Sequence, residues 1–252
     1  MKNRLWWQKR NRIIQYNLQA KDADKIDAEK LAEQTEAMGA NAIVINAADS
    51  YTWYPSKYTY LSRIAENRDF VAEYIEEFHK RGMKVIMRYA VGLGFEDDVY
   101  NLYPQWAARQ ANGEPMISGE KRPGLWRLLY RNCPNSYFEK TVAKGMFREL
   151  LTEYDVDGMF IMGGPIPPCW CDRCRMLYRK QYRTDMPDTA EEIDPTWKDV
   201  NMWEFLRPYR EIMDELAPGK PLITNYFPVD LNMGGTMDLI LSLIHISEPT
   251  RH

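Results

Sequence analysis

The chain has 252 residues, 45% of them hydrophobic and 27% charged, with a formal net charge of -3. That size and apolar fraction support one large domain, or two small ones, with a sizeable core. A nearly balanced charge without any sustained run of Lys or Arg leaves no electrostatic footprint for nucleic acid or for an anionic membrane surface, and no window approaches the roughly 20 apolar residues of a membrane span. The start, MKNRLWWQKRNR, is basic but lacks the apolar stretch of a signal peptide, so a cytoplasmic location is expected.

RIIQYNL (12–18) predicts a buried strand. After it, EKLAEQTEAMG (29–39) carries the spacing of an amphipathic helix that stops at Gly39. ANAIVINA (40–47) is a short apolar run rich in β-branched residues, the pattern of a strand buried on both faces. RDFVAEYIEEFHKRG repeats the helix pattern with Gly82 as its stop, and KVIMRYAVG makes a third strand. YFEKTVAKGMFRELLTEY predicts a third helix, DGMFIMGG a fourth strand, CDRCRMLYRKQYR and WKDVNMWEFLRPYREIMDELA two more helices, and PLITNYF a fifth strand.

Strands alternating with helices at this spacing indicate a parallel sheet, either doubly wound or closed as a (β/α)8 barrel. The barrel is favoured for two reasons. No glycine-rich phosphate fingerprint follows the first strand, and the segments after strands two, three and four are long and carry the aromatic and polar residues expected of barrel loops. Only five strands, with a sixth beginning at MDLI (237–240), fit where a barrel needs eight. The expected fold is therefore α/β, a truncated (β/α)8 TIM barrel with five to six strands present.

The last twelve residues, LSLIHISEPTRH (241–252), match one reading frame of a transposase adapter used in short-read sequencing. Residues 1–240 are accordingly read as the N-terminal part of the barrel and 241–252 as an adapter-derived artefact. The rival is a true sixth strand, LILSLIHIS, which periodicity alone favours. Without that tail His79 is the single histidine, inside a helix near its end, and schemes built on Ser-His or Cys-His pairs lose their base.

Four cysteines stand out: Cys133 in RNCPNS, and Cys169, Cys171 and Cys174 in PPCWCDRCR. C-x-C-x2-C at a loop-to-helix junction brings three thiols close together, and Cys133 from an earlier loop completes a tetrahedral four-thiolate set suited to structural zinc. Disulfides or unrelated buried thiols are the alternatives, and disulfides fit a cytoplasmic protein poorly. A closed four-thiolate site offers no open position for a substrate, so it speaks for stability rather than metal catalysis.

In a barrel, the informative positions are the C-terminal ends of strands. Those ends present Gln15, Asn17 and Asp22, then Asn46 and Asp49, then Arg88 and Tyr89, then Asn225 and Tyr226. Polar groups recurring at one rim fit hydroxyl recognition, although Asn17 and Asn46 also fit ordinary strand-end caps. Asp49 with Trp53 and Tyr54 combines a hydroxyl acceptor with flat stacking faces; the other reading is a loop whose aromatics cover the barrel mouth. Arg88, in an otherwise apolar run, demands a partner. The expected substrate-binding set is Asn17, Asn46, Asp49, Trp53, Tyr54, Arg88 and Asn225. No catalytic residue is assigned, with Asp49 and Glu96 as the candidates.

The strings RIIQYNLQAKDAD, GANAIVINAADSYTWYPSKYTY, EEFHKRGMKVIMRYAVG, YPQWAARQANGEPM and LLTEYDVDGMFIMGG, with CWCDRCR, resemble in order and content the N-terminal barrel half of the hypothetical glycosyl hydrolase group. That group is related to the family 42 β-galactosidases and to α-L-fucosidase-like barrel enzymes. The resemblance covers roughly residues 5 to 190, and the cysteine pattern is similar to the zinc cluster of the family 42 enzymes. It implies a glycosidase acting on an O-glycosidic bond of a galactose- or fucose-like sugar, in an intact parent that is a homo-oligomer, such as a trimer. One departure matters. Where the family 42 enzymes carry an acid/base Glu and the fucosidases a nucleophilic Asp, this chain has Phe160-Ile161-Met162-Gly163-Gly164, without a carboxylate. Glycoside hydrolysis generally needs two carboxyl groups, so the alternative is a non-catalytic carbohydrate-binding or scaffold barrel. A chain cut at this point is expected to be inactive, because an open half barrel leaves sheet edges unpaired.

Overall fold

A computed structural model describes residues 5–119, 128–162, 167–224 and 238–240. Asn225, Tyr226 and the 241–252 tail lie outside the described residues.

Six parallel strands form one sheet in sequential order: β1 (Ile13–Gln15), β2 (Ala42–Ala48), β3 (Lys84–Tyr89), β6 (Gly158–Ile161), β7 (Leu222–Thr224) and β8 (Leu239–Ile240). Between β3 and β6 a two-residue antiparallel pair, β4 (Ile117–Ser118) and β5 (Leu129–Tyr130), decorates a long connection. The helices are α1 (Ala28–Ala37), α2 (Phe70–Lys80), α3 (Asp97–Leu102), α4 (Lys144–Glu153), α5 (Asp172–Tyr182) and α6 (Thr196–Leu216).

Local chemistry sets these boundaries. Asp27 and Asp69 accept from the Lys30 and Ala72 amides and cap the starts of α1 and α2. Gly39 and Gly82 follow the two helix ends with φ of 74° and 71°, the left-handed geometry a glycine adopts without strain. The strand before α1 is shorter than its apolar run: β1 covers three residues of RIIQYNL.

The choice between a barrel and a doubly wound sheet is decided by where the helices pack. Ile43, Ile45, Val85, Met87, Met159, Ile161 and Leu222 point into the main core, with Phe70, Tyr74, Met146, Phe147, Leu150, Tyr209 and Met213 from the helices. The alternate residues Val44, Ile86, Phe160 and Ile223 form a separate cluster on the opposite face, backed by Ile13, Trp6 and Met162 and by no residue of α1–α6. Helices therefore cover one face, and the other is the inner face of a curled, TIM-barrel-like sheet. All seven residues of β2 are buried, as a strand covered on both faces requires.

The third predicted helix begins differently from its pattern. Residues Phe138–Ala143 form a π-helical turn that runs directly into α4. His79, in the last turn of α2, has its Nε2 2.6 Å from Asp157 Oδ2. Asp157 also accepts from Lys84 Nζ and from the Val85 amide, at 2.7 and 3.0 Å. This knot lies at the strand-leading end of the sheet, opposite the rim where barrel sites form, and ties α2 to β3 and β6.

Candidate functional site

The C-terminal ends of β2 and β3 carry a connected polar network. Asn46 points to the inner face and ties two loops together: Oδ1 accepts from the Leu18 amide at 3.2 Å, and Nδ2 donates to the Leu18 carbonyl at 3.2 Å and to Asp49 Oδ2 at 3.0 Å. Asp49 also accepts from Trp53 Nε1 at 3.3 Å and, through Oδ1, from the Tyr51 amide at 3.0 Å. Its carboxylate thus holds the β2 loop in shape. Tyr51 donates its hydroxyl to Glu96 Oε2 at 2.7 Å, and Ser50 Oγ is 3.4 Å from Oε1, so the two candidate carboxylates, Asp49 and Glu96, belong to one loop system.

Trp53 and Tyr54 bury their rings behind this rim, although the Trp53 indole N–H reaches Asp49. Trp53 is 1% exposed and packs edge-on against Phe70 at 5.6 Å. Tyr54 is fully buried and donates to Glu149 Oε2 at 2.9 Å. Neither ring offers a face to a sugar. They correct the stacking expectation: bulky aromatics beside a polar strand end went to the helix-side core, where burial of so large an apolar area is most favourable. Glu149, which the sequence reading passed over, accepts from Tyr54, from Ser56 Oγ at 2.6 Å and from the Lys57 amide at 2.7 Å, and so latches that loop to α4.

Asn17 is exposed and accepts from Gln15 Nε2 at 2.9 Å. Asp22 instead accepts from the Gln19 amide at 2.7 Å and shapes the turn beyond β1. Arg88 lies on the inner face, 9% exposed, with Nη1 3.7 Å from Asp49 Oδ2 and Nη2 donating to Met162 Sδ at 2.8 Å. Burial pulls its pKa down, partly offset by Asp49. Asn225 lies outside the described residues.

A second centre sits above the long β3–β6 connection. The sulfurs of Cys133, Cys169, Cys171 and Cys174 lie within 4.8 Å of one another, with no disulfide. Cys133 Sγ is 3.7 Å from Cys171 Sγ and 3.6 Å from Cys174 Sγ. Four thiolates at the zinc bond length of about 2.3 Å would stand roughly 3.8 Å apart, so the set could hold one tetrahedral ion. Amides already point at the sulfurs: Arg109 N reaches Cys169 at 3.3 Å, Asn135 N reaches Cys133 at 3.4 Å, and Asn135 Nδ2 reaches Cys174 at 3.4 Å. Such donors favour thiolates and orient them. Hydrogen bonds shared among the four sulfurs push the Cys169 and Cys171 thiols down and the Cys133 and Cys174 thiols up. Ala108, Tyr178, Met186, Ile193 and Trp197 wrap the cluster in apolar side chains. The centre thereby joins the β3–β6 connection to the segment leading into α5.

Beneath it is a buried pair that periodicity concealed. Glu139, fully buried, accepts from Lys144 Nζ at 2.7 Å, Tyr209 Oη at 2.8 Å and Asn132 Nδ2 at 2.9 Å. Lys144 also stands 3.5 Å from the Tyr209 ring centroid. Residues five apart do not face each other on an α-helix, but the π turn between them brings them into line. Asn132 adjoins Cys133, so this pair supports the loop that carries the first cysteine.

No curated protein matches the chain. Among solved structures it is similar to α-L-fucosidase isoenzyme 2 from Paenibacillus thiaminolyticus, at 20% identity and a TM-score of 0.66, over 86% of this chain and 32% of that one. It is also similar to a β-galactosidase from Rahnella sp. R3 (14%, TM-score 0.64, 91% of this chain and 38% of that one). A third is the β-galactosidase from Bacillus circulans sp. alkalophilus (14%, TM-score 0.65, 95% and 41%). At these identities the likeness is one of fold, and the chain spans about a third to two fifths of the length of those proteins. The family model Hypothetical glycosyl hydrolase 6 matches residues 27–163, from the cap of α1 through the inner-face network to the end of β6, and the chain belongs to that family.

Proposed function

We propose that the protein is a glycoside hydrolase, cleaving O-glycosyl bonds at the C-terminal rim of its barrel, with a galactose- or fucose-like sugar as substrate. The observation that carries this reading is the placement of Asn46, Asp49, Arg88 and Glu96 in one network at the ends of β2 and β3, within the stretch that belongs to a glycosyl hydrolase family. That network binds and orients. Asp49 is committed to three hydrogen bonds and the β6 end supplies no carboxylate, which leaves Glu96 as the catalytic candidate within this network and a second carboxylate to be supplied from outside it.

The four cysteines hold structural zinc in this reading and position the rim without taking part in the chemistry; when bound, the ion supplies cross-linking of two loops. This 252-residue chain on its own is expected to be inactive: among the described residues β1 pairs only with β2 and β8 only with β7, which leaves two sheet edges open.

The missing carboxylate at β6 favours one second reading, a barrel that binds carbohydrate without cleaving it. Full-length protein assayed on nitrophenyl β-galactoside and nitrophenyl α-fucoside separates the two. Turnover of either supports the hydrolase; sugar binding without turnover of any glycoside establishes the binding barrel instead.

A further inference from the structure

Arg88 carries more charge than its surroundings answer. Its side chain keeps 11% of its surface, and Nε has no hydrogen-bond partner. Nη2 meets a thioether, a weak acceptor, and Nη1 is 3.7 Å from an Asp49 oxygen that already accepts from Asn46 and Trp53. A guanidinium keeps its proton at any physiological pH, so burial does not neutralise it. A buried charge left this short of acceptors is costly unless something completes it.

The neighbourhood shows what would complete it. Arg88 shares the inner face with Val44, Ile86 and Phe160, so its guanidinium belongs to the lumen and not to the helix-side core. On the same face, β1 offers Gln15, whose Oε1 is buried and also unpartnered. The lumen face therefore holds a cation on β3 whose Nε–H has no partner and whose Nη2 meets only a thioether, and an unpartnered neutral acceptor on β1. Gln15 lies level with Ile86, one side-chain step before Arg88 and two inter-strand spacings away, so the two backbones stand about 12 Å apart, and the side chains reaching in from either end leave a span on the scale of one sugar ring. The guanidinium fork matches a planar anion through two parallel hydrogen bonds, and the Gln15 carbonyl matches a hydroxyl.

Resting on the carbohydrate reading above, we infer that the barrel lumen takes an anionic sugar, a uronate or a sulfated hexose, with the acidic group on Arg88 and a ring hydroxyl on Gln15. This differs from a neutral galactose- or fucose-like substrate in one measurable respect, a charge requirement at a single side chain.

The test uses the whole chain and defined probes: methyl β-galactoside, its uronate counterpart and its 6-sulfate, titrated by calorimetry and followed in the ¹⁵N spectrum at the Arg88 Nε–H. The expected result is binding of the uronate or the sulfate at least about ten-fold tighter than the neutral sugar, a bidentate charged contact being worth that much, with a shift of the Arg88 Nε–H. Whichever anion binds tighter identifies the source of the charge. In Arg88→Gln the preference should fall below about two-fold, and Gln15→Leu should weaken both anionic probes without erasing the preference. Should Arg88→Gln fail to fold, Arg88→Lys, which keeps charge but not the fork, and the wild-type Nε–H shift carry the decision. Equal binding of neutral and anionic sugars, or a preference that survives Arg88→Gln, overturns the inference and leaves the carbohydrate reading standing. Binding of no sugar, by this chain or by the full-length protein, overturns both.

Discussion

Asp49 shows how a residue chosen for its chemistry turns out to be chosen for its hydrogen bonds. Its oxygens face donors from Asn46, Tyr51 and Trp53, with Arg88 behind them. Asp49→Asn keeps the shape but turns an NH2 group toward donors, and a buried donor left facing a donor costs about 1–3 kcal/mol. The expected outcome is a stability loss of about 2 kcal/mol in urea unfolding, with an unchanged fold by circular dichroism. At the cysteine centre, metal analysis of the purified chain should find about one zinc per molecule, and Cys133→Ser should remove most of it, because three thiolates close the site less completely than four. Unchanged zinc in that variant would take Cys133 out of the ligand set.

Elements carry the next level of the argument, where the π turn before α4 has the largest consequence. It aligns a fully buried Glu139 with a nearly buried Lys144. Desolvation lowers the Lys144 pKa, and the Glu139 carboxylate works against that shift. Removing one partner strands the other charge. Glu139→Leu is expected to destabilise by about 3–5 kcal/mol, and the double change Glu139→Leu with Lys144→Met by clearly less, since an apolar pair of similar size avoids the desolvation cost. A double-mutant cycle in urea reads this coupling. Because Asn132 donates to Glu139, the single variant should also loosen the Cys133 loop and lower zinc retention under a chelator challenge, which a purely local packing defect would not do.

For the molecule as a whole, the burial of Tyr54, Tyr74, Tyr89 and Tyr209 fixes the alkaline limit of stability. Desolvation raises all four phenols above their ordinary value. In the unfolded chain each ionises near pH 10, while the folded chain holds its protons, so above that pH the folded state binds more protons and stability falls as pH rises. Below about pH 10 the contribution is complete. Absorbance of tyrosinate should therefore show these four residues ionising only together with loss of the near-ultraviolet circular dichroism. Early, independent ionisation of all of them below the unfolding transition would contradict the burial.

Much of this was legible in the sequence. Alternating runs predicted α1, α2, α5 and α6 to within a residue or two, Gly39 and Gly82 marked two helix ends, and the C-x-C-x2-C spacing with Cys133 predicted the sulfur cluster. These features are local: caps, turn glycines and ligand spacing act within a few residues of one another, so the order of residues determines them. Other features were not local. A strand buried on both faces, such as β2, has no alternation, so the sequence could not say whether helices cover one side of the sheet or two; only the separate packing of Val44, Ile86, Phe160 and Ile223 decided for the barrel. Nor could spacing place Trp53 and Tyr54 in the core, or join Glu139 to Tyr209 across 70 positions. The residue order determined which elements form and where they stop. Tertiary structure decided which face each one shows and which buried charge meets which partner, because those choices depend on surfaces brought together from distant parts of the chain.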